Sequence, residues 1–478
     1  MTRQPQAHPL LQLAHLPLAL LSVLVAGSCR DPNVPDLNNG AINDLLTNPT
    51  RVQLANAAQG LLVGARLNVA EYNGYVSELG LFGRESYIFD PGDNRFETEL
   101  LGPGPLDPAG PRFGGNLWVA RFSNIKAANL LLTALRVPYS KPDSLTPAEK
   151  EAARGFAQTM QALDFLEVIN TRDTIGAPIA VDLPLDSLAP IVPRDQVFDH
   201  IVRLLDSAQT HLQNGGGNFP FRLPSGFAGF TTPATFLQVN RALKVRVDVY
   251  MGAIFSCAAC FTEAANLLGT AGVTFLDTTA ALDLGAYHTF AAGSGDLTNG
   301  LYDPTPAKLY AHPSLRDSAE TQAASTALDK RFLAKVDPVT LRIYGSHSSS
   351  WAFTRYASPV SPVPIIRNEE LILLRAEANL GLNNLTEAAK YINFIRRRSG
   401  GLAEVANLDA QTPDSVLSVL LKQKRYSLLF EGGHHWIDMR HYGRLSALPN
   451  QTGDNIYLLM PVPLDECLPR PSGSRGCP

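Results

Sequence analysis

The stretch from residue 365 to residue 443 constrains the fold of this 478-residue chain more than any other. Its first half carries apolar residues at the i, i+3, i+4 spacing of an amphipathic helix, namely Leu371, Leu374, Ala378 and Leu382. Gly381 and the asparagines after it end this helix, and a second helix begins near Glu387. Small residues at Ala376 and Ala388 allow the two helices to approach closely, as in tetratricopeptide hairpins. Because a lone hairpin leaves an apolar face uncovered, the sequence predicts further hairpins stacked on this one.

Two blocks of sequence in this stretch carry a family resemblance. The first block comprises residues 367–378 and 388–400, and the second comprises residues 424–432 and 436–443. In this order they resemble the signature of the SusD/RagB nutrient-binding lipoproteins. The chain departs from that signature at residues 433–435, where Gly-His-His replaces the arginine that usually follows the Glu-Gly pair.

The resemblance implies a fold and a function. The implied fold is mainly α-helical, a superhelix of stacked tetratricopeptide-like hairpins with long loop-rich excursions. The implied function is that of a surface-exposed outer-membrane lipoprotein that binds an oligosaccharide or a peptide and caps a TonB-dependent, SusC-like transporter. A hypothesis of a different class is a structural adaptor, whose hairpin groove would hold a protein partner in the periplasm.

The N-terminus has the pattern of a lipoprotein signal peptide. Arg3 is followed by an interrupted apolar run over residues 10–25, which is too short for a transmembrane helix. Small residues then precede Cys29, in a pattern that resembles a bacterial lipobox. We therefore predict a signal peptide over residues 1–28, lipidation at Cys29, and membrane contact through that anchor alone. The alternative is an ordinary cleaved signal.

The remaining cysteines predict disulfides. They are Cys257, Cys260, Cys467 and Cys477. An even number of cysteines in an exported protein indicates two bridges, and proximity along the chain favours pairing the first two and the last two. A zinc site is the alternative, although no Cys/His spacing near either pair supports it.

The rest of the chain divides into helical and loop-rich segments of one domain, predicted over residues 29–478. The helical scaffold is predicted at about 40–70, 116–170, 194–213, 232–270 and 364–443. The intervening segments 71–115 and 272–363 lack helical periodicity and are rich in Gly, Pro and aromatic residues. Loops of this length in a compact domain are usually functional or disordered, and their aromatic content argues against disorder. We therefore predict that they form a ligand face.

Candidate ligand-binding residues come from these two loop-rich segments. Aromatic rings pack against the C–H faces of sugars, while neighbouring polar side chains bind the hydroxyl groups. The candidates are Arg84, Tyr87, Asp93 and Asn94 in the first segment and Tyr302, Tyr344 and Trp351 in the second. If both segments lie over one face, they form a shallow aromatic platform in which Trp351 offers the largest ring. The alternative is that these rings only fix the loops to the body of the protein.

Other classes of function find little support. The Ser346-His347 pair has no G-x-S-x-G motif around it, and no phosphate loop or dinucleotide fingerprint is present, so we predict no enzyme activity. A net charge of −4 without a basic stripe argues against a nucleic-acid partner. The polar residues Asp90, Asp93, Asn94, Glu97 and Glu99 could gather a calcium ion, but not in the order of an EF-hand. We predict no cofactor, with calcium as the alternative.

Overall fold

The computed structural model describes residues 42–110, 116–138, 144–184, 187–305, 308–450 and 453–477. The predicted signal peptide and the predicted lipidation site Cys29 lie outside these residues. Within the described part, no helix has both the length and the apolar character required to cross a membrane.

Helices are the main regular structure of the described residues. In chain order they are α1 (Ile42–Thr47), α2 (Arg51–Arg66), α3 (Tyr75–Phe82), α4 (Arg95–Thr98), α5 (Asn116–Ala134), α6 (Pro147–Arg172), α7 (Arg194–Gln213), α8 (Pro233–Phe255), α9 (Ala258–Gly269), α10 (Ser314–Asp317), α11 (Lys330–Leu333), α12 (Asn368–Gly381), α13 (Leu385–Arg398), α14 (Pro413–Ser427), α15 (His434–His441) and α16 (Leu464–Cys467). The long helices pack in sequence, from α5 on α6 through α7, α8 and α9 to α12, α13 and α14. This succession of hairpins confirms the predicted mainly α-helical, tetratricopeptide-like fold.

Short strands form three small antiparallel sheets. The strands are β1 (Ser86–Ile88), β2 (Ala177–Pro178), β3 (Ile191–Val192), β4 (Gly285–His288), β5 (Leu309–Ala311), β6 (Val336–Tyr344), β7 (His347–Phe353) and β8 (Val363–Arg367). The largest sheet has the strand order β1-β5-β7-β6, and the other two are the pairs β2-β3 and β4-β8.

The hairpin α12–α13 forms for the reasons that its sequence suggests. Ala376 and Ala388 are fully buried where the two helices cross. Asn384 caps α13 by accepting a hydrogen bond from the backbone N–H of Glu387. At the end of α12, a Cβ on Gly381 would lie only 2.4 Å from the ring of Phe261 in α9. Glycine is therefore required where this hairpin meets the preceding one.

The segment 71–115 differs from the loop-rich surface predicted for it. Residues 75–82 form the helix α3, and every residue from 74 to 90 is buried. The ring of Phe82 lies 5.3 Å from that of Trp436 in α15, so α3 is inserted into the core. Because a helix buried on all sides has no polar face, its sequence lacks the amphipathic period that would identify it.

Both predicted disulfide pairings are confirmed. Cys257 is joined to Cys260 in the turn between α8 and α9, with a Cα–Cα distance of 5.3 Å. Cys467, at the end of α16, is joined to Cys477 with a Cα–Cα distance of 5.4 Å. These pairings leave no thiolate of the four for the alternative zinc site.

Candidate functional site

The two loop-rich segments meet in the four-stranded sheet, which we call the composite sheet. Strand β1 comes from the first segment, and β5, β6 and β7 come from the second. Tyr87 in β1 pairs with Tyr310 in β5, and Tyr310 pairs with Ala352 in β7. Segments more than 200 residues apart in the chain are thus joined by backbone hydrogen bonds into one surface.

A row of aromatic rings covers one side of the composite sheet. The ring centroids of Tyr87 and Phe89 are 5.2 Å apart, and those of Phe89 and Tyr310 are 5.1 Å apart. Tyr344, at the end of β6, stacks on Phe89 at 5.5 Å and donates a hydrogen bond of 2.6 Å to the backbone oxygen of Asp90. Tyr87 and Phe89 are buried, whereas Tyr344 is half-buried at the rim. Tyr344 therefore presents the accessible end of the row.

Two of the sequence-based candidates lie inside the protein. Arg84 is completely buried and Tyr87 is 2% exposed. The Arg84 guanidinium donates hydrogen bonds to the backbone oxygens of Pro449 (3.1 Å) and Asn455 (2.8 Å), and burial lowers the pKa of this group. Arg84 thus fixes β1 to the C-terminal segment. Neither side chain presents a surface to a ligand, so we do not include them in the candidate site.

Asp93 and Asn94 lie on the loop after β1, and their side chains differ in their hydrogen bonding. The Asp93 carboxylate accepts two hydrogen bonds from Arg95, at 2.9 and 2.8 Å. Asn94 is exposed just before α4, and its amide makes no hydrogen bond within the described residues. The next acidic residue, Glu97, accepts a 2.6 Å hydrogen bond from the N–H of Ser346, at the tip of the β6–β7 hairpin. The loop is thereby held beside Tyr344 with the Asn94 amide available.

An open depression of about 780 Å³ is bordered by β5, β6 and the segment before β5. It is lined by Pro304, Thr305, Tyr310, Pro338, Val339 and Thr340. The Asp303 carboxylate orders its edge by accepting 3.0 Å hydrogen bonds from the N–H groups of Lys308 and Leu309. Tyr302 is half-buried immediately before this carboxylate. The depression has the open shape expected of a surface that binds an extended chain.

Trp351 belongs to the other side of the composite sheet. Side chains of successive strand residues point to opposite faces, and its neighbour Ala352 pairs with Tyr310. The Trp351 ring contacts Phe332 in α11, with centroids 5.5 Å apart. The structure therefore places Trp351 on the face opposite Tyr310 and the aromatic row, where it is half-buried and is the cross-strand partner of Pro338 in β6.

The C-terminal part of the chain matches a known family. The model of the SusD family matches residues 340–457, from β6 beyond α15. This part of the chain is therefore similar to the SusD family. No curated protein matches the sequence.

Solved structures of SusD-like proteins share the fold along most of the chain. One is a SusD superfamily protein from Parabacteroides distasonis, with a TM-score of 0.65 and 15% identity, covering 86% of this chain and 96% of the other. NanU of B. fragilis has a TM-score of 0.64 and 15% identity, covering 92% and 99%. A protein described as a laminarin-binding SusD-like protein has a TM-score of 0.58 and 15% identity, covering 88% and 98%. At these identities the likeness establishes the fold alone.

The two blocks that resemble the SusD/RagB signature meet in a buried ion-pair network next to the composite sheet. Arg367, from the first block, donates from Nε to Glu431, from the second block, at 2.8 Å. Lys335, just before β6, donates to the same carboxylate at 2.9 Å. Burial would raise the pKa of Glu431, but Arg367, Lys335 and Arg355 outweigh it and hold the pKa well below its usual range. The network fixes the start of β6 to the helical scaffold.

The departure from the family signature at residues 433–435 is accommodated by local packing. Gly433 has a φ of +69°, and a Cβ at this position would lie 2.2 Å from the Cβ of Leu79 in α3. The following His434 lies close to Glu370, and burial lowers the pKa of its imidazole to about 4. Glycine thus allows the buried helix α3 to approach the start of α15.

Of the five residues considered for the alternative calcium site, the four acidic ones each have a different partner, and Glu97 binds the N–H of Ser346. Asp90 accepts a 2.9 Å hydrogen bond from Lys308, Asp93 binds Arg95, and Glu99 accepts from the N–H of Asp107 at 2.6 Å. Among the described residues, no group of three or more His, Cys, Asp or Glu side chains is placed to hold a metal ion.

Sequence reasoning missed several residues that line the depression, Tyr310 and Pro338 above all. Tyr310 lies in a strand of only three residues, which is too short to show an alternating pattern. Pro338 lies in the exposed strand β6, where a register shift follows it. The Pro at this position was the one available signal, because proline within a strand indicates an edge strand or a bulge.

Proposed function

We propose that this chain binds an oligosaccharide on the surface formed by Tyr344, Asn94, Tyr302 and the depression beside them. We propose further that it delivers the oligosaccharide to a TonB-dependent, SusC-like transporter in the outer membrane. Lipidation at Cys29 would hold the protein at that membrane. Nutrient binding of this kind requires no catalytic group.

One observation carries this proposal: the pairing of β1 with β5 joins both loop-rich segments into one open surface. The surface combines a half-buried ring at Tyr344, a second at Tyr302, and an amide at Asn94 that makes no hydrogen bond within the described part of the chain. Rings and neutral hydrogen-bonding groups together suit a sugar chain.

The charges of the surface also favour a neutral ligand. Asp90 is paired with Lys308, whose ammonium lies 3.9 Å from the ring centroid of Tyr72. Asp93 is paired with Arg95. Because these charged side chains are already paired with one another, we expect the surface to bind the neutral hydroxyl groups of a sugar in preference to a charged peptide. The laminarin-binding SusD-like protein of the same fold supports the choice of a glycan.

The test is a calorimetric titration of the mature protein with laminarin, starch-type and xylan-type oligosaccharides, and with a mixture of short peptides. We expect one glycan class to bind, and Asn94→Ala to weaken that binding about five- to tenfold by removing a hydrogen-bonding group. Asn266→Ala is the matched control, because Asn266 is an exposed asparagine on α9 outside the surface. Binding of peptides alone would contradict the glycan assignment, and equal effects of the two variants would contradict the site.

The anchor is tested separately. Cys29→Ser should abolish labelling by a lipid precursor and release the protein from the membrane fraction. Retention in the membrane without a lipid label would contradict the proposed anchor.

A further inference from the structure

A second cavity, which shares no lining residue with the depression of the candidate surface, lies against helix α2. It has a volume of about 330 Å³, within the range of small-molecule sites. One face of α2 forms its first wall with Leu62, Val63 and Arg66. Leu62 and Val63 lie four and three positions before Arg66, and residues at these spacings are neighbours on a helix surface, so both border the cavity together with Arg66. We call this space the α2 cavity.

The opposite wall of the α2 cavity is apolar. It is formed by Leu223, Pro224 and Phe227, at the short turn before α8. With Leu62 and Val63 these side chains enclose a space that favours a flat apolar group. The side chain of Val63 is 48% exposed, so it lies at the mouth of the cavity.

Arg66 holds a fixed positive charge at the inner end. Its guanidinium donates to the backbone oxygen of Thr289 and forms an ion pair with Asp296. The side chain is 10% exposed, and its buried Nε has no hydrogen-bond acceptor within the described residues. A buried donor without an acceptor is unusual in proteins and is normally satisfied by a ligand or by water.

His288 is a second buried polar group that lines the α2 cavity. It is 6% exposed, and neither ring nitrogen makes a hydrogen bond within the described residues. Burial, followed by the charges of Arg121 and Arg66, lowers the pKa of its imidazole to about 3. His288 is therefore neutral at neutral pH and offers one donor and one acceptor.

The balance of charge in the α2 cavity is positive. Asp296 neutralises Arg66, while Arg222 is exposed at the lining and makes no ion pair within the described residues. Because His288 is neutral, the lining carries two positive charges, on Arg66 and Arg222, and one negative charge, on Asp296. The surplus charge attracts an anion, and the apolar walls attract the ring that carries it.

We propose that the α2 cavity binds a small monocarboxylate with an apolar ring, in the class of aromatic acids. The ring packs between Val63 and Phe227, and the carboxylate faces Arg222. The neutral imidazole of His288 accommodates a hydroxyl group on the ring. This site is separate from the proposed glycan surface and does not depend on it.

The test is a calorimetric titration of the mature protein with 4-hydroxybenzoate, against the neutral 4-hydroxybenzyl alcohol and the sugar acid D-glucuronate. We expect 4-hydroxybenzoate to bind at least fivefold more tightly than either. Arg222→Gln should weaken 4-hydroxybenzoate about fivefold, as the loss of one exposed charge pair predicts, and leave the alcohol unchanged. Arg316→Gln, at an exposed arginine on α10, is the matched control and should have no effect.

A second variant tests the cavity independently of Arg222. Val63→Glu places a negative charge at the mouth without disturbing a buried side chain, so it should reduce 4-hydroxybenzoate binding at least tenfold. Glycan binding should be unchanged in both cavity variants, which separates this proposal from the proposed function. Absence of 4-hydroxybenzoate binding at millimolar concentration, tighter binding of D-glucuronate, or an unaltered affinity in Val63→Glu would each overturn the proposal.

Discussion

The hairpin scaffold and the composite sheet are built on different principles. In α12–α13 each helix buries its alanines and aliphatic side chains against a partner a few residues away in the chain. In the composite sheet, by contrast, β1 meets β5 across more than 200 residues, and their pairing covers only three residues of each strand. The scaffold is therefore specified locally, whereas the sheet exists only because the scaffold brings its strands together.

This difference predicts where substitutions have global effects. A change in the ion-pair network that links the two regions should destabilise the whole protein. A change at the outer surface of the sheet should alter ligand binding and leave the fold intact.

The largest effect is expected for Glu431→Gln. The substitution removes the carboxylate that pairs with both Arg367 and Lys335, which are buried. Arg367 keeps its ion pair with Glu369, whereas Lys335 loses the carboxylate that it contacts. Leaving buried charges unpaired costs about 3–5 kcal/mol. Urea unfolding followed by circular dichroism should show this loss, while Glu387→Gln, in an exposed pair with Lys390, should change stability by less than about 0.5 kcal/mol. Equal stabilities of the two variants would show that the network does not link the regions.

The second largest effect is expected for Gly381→Ala, at the close contact between α12 and α9. Gly381→Ala places a methyl group 2.4 Å from the ring of Phe261, and such overpacking costs about 1–3 kcal/mol. Gly60→Ala in α2 is the matched control, because a Cβ there meets no atom within 4 Å. Replacing a glycine inside an exposed helix should stabilise the protein by about 0.5–1 kcal/mol. Opposite signs of the two changes in unfolding free energy are expected, and a stabilising Gly381→Ala would contradict the close packing.

The same contrast explains what the sequence could predict. The helices α7, α8 and α9 follow from periodicity and from end signals such as Thr232 before Pro233, whose side chain caps α8. The buried helix α3 could not be predicted in this way, because it has no polar face. Arg84 and Tyr87 have the residue types of ligand contacts, but both are buried by parts of the chain that no local pattern reveals. Arg84 is bonded to residues 449 and 455, and the ring of Tyr87 contacts those of His312 and His347. Trp351 was the preferred contact by size, and its strand register directs it to the opposite face of the sheet.

The third prediction compares the two aromatic candidates of the sheet directly. Tyr344→Ala should weaken glycan binding about tenfold, or about 1.4 kcal/mol, because Tyr344 is the accessible end of the aromatic row. Tyr344→Phe should retain most of the affinity, since it keeps the ring and loses only the hydroxyl bonded to Asp90. Trp351→Ala should instead lower stability by about 1–2 kcal/mol through the lost contact with Phe332 and leave binding within about twofold. Stronger loss of binding in Trp351→Ala than in Tyr344→Ala would reverse this assignment.

The smallest effect concerns a partly exposed ion pair between the second loop-rich segment and the scaffold. Glu320 pairs with Arg396 of α13 at 2.8 Å, and its side chain is 31% exposed. The Arg396 guanidinium, despite partial burial, lowers the pKa of Glu320 from 4.5 to about 2. A carboxyl group with a depressed pKa in the folded state stabilises the protein above its unfolded pKa, and this contribution is lost as the pH falls toward the folded pKa. The contribution should therefore be complete at pH 7 and decline below about pH 4.5.

Solvent screening limits the magnitude to about 1 kcal/mol or less. Urea unfolding of the wild-type protein and Glu320→Gln should differ by this amount at pH 7, and the difference should shrink at pH 3.5. Glu404→Gln is the control, because Glu404 pairs with Arg397 on the surface with both side chains more than half exposed, so no difference is expected at either pH. A difference for Glu320→Gln that stays constant between pH 7 and pH 3.5 would show that the charge of Glu320 does not tie the second loop-rich segment to α13, and that packing alone holds the two regions together.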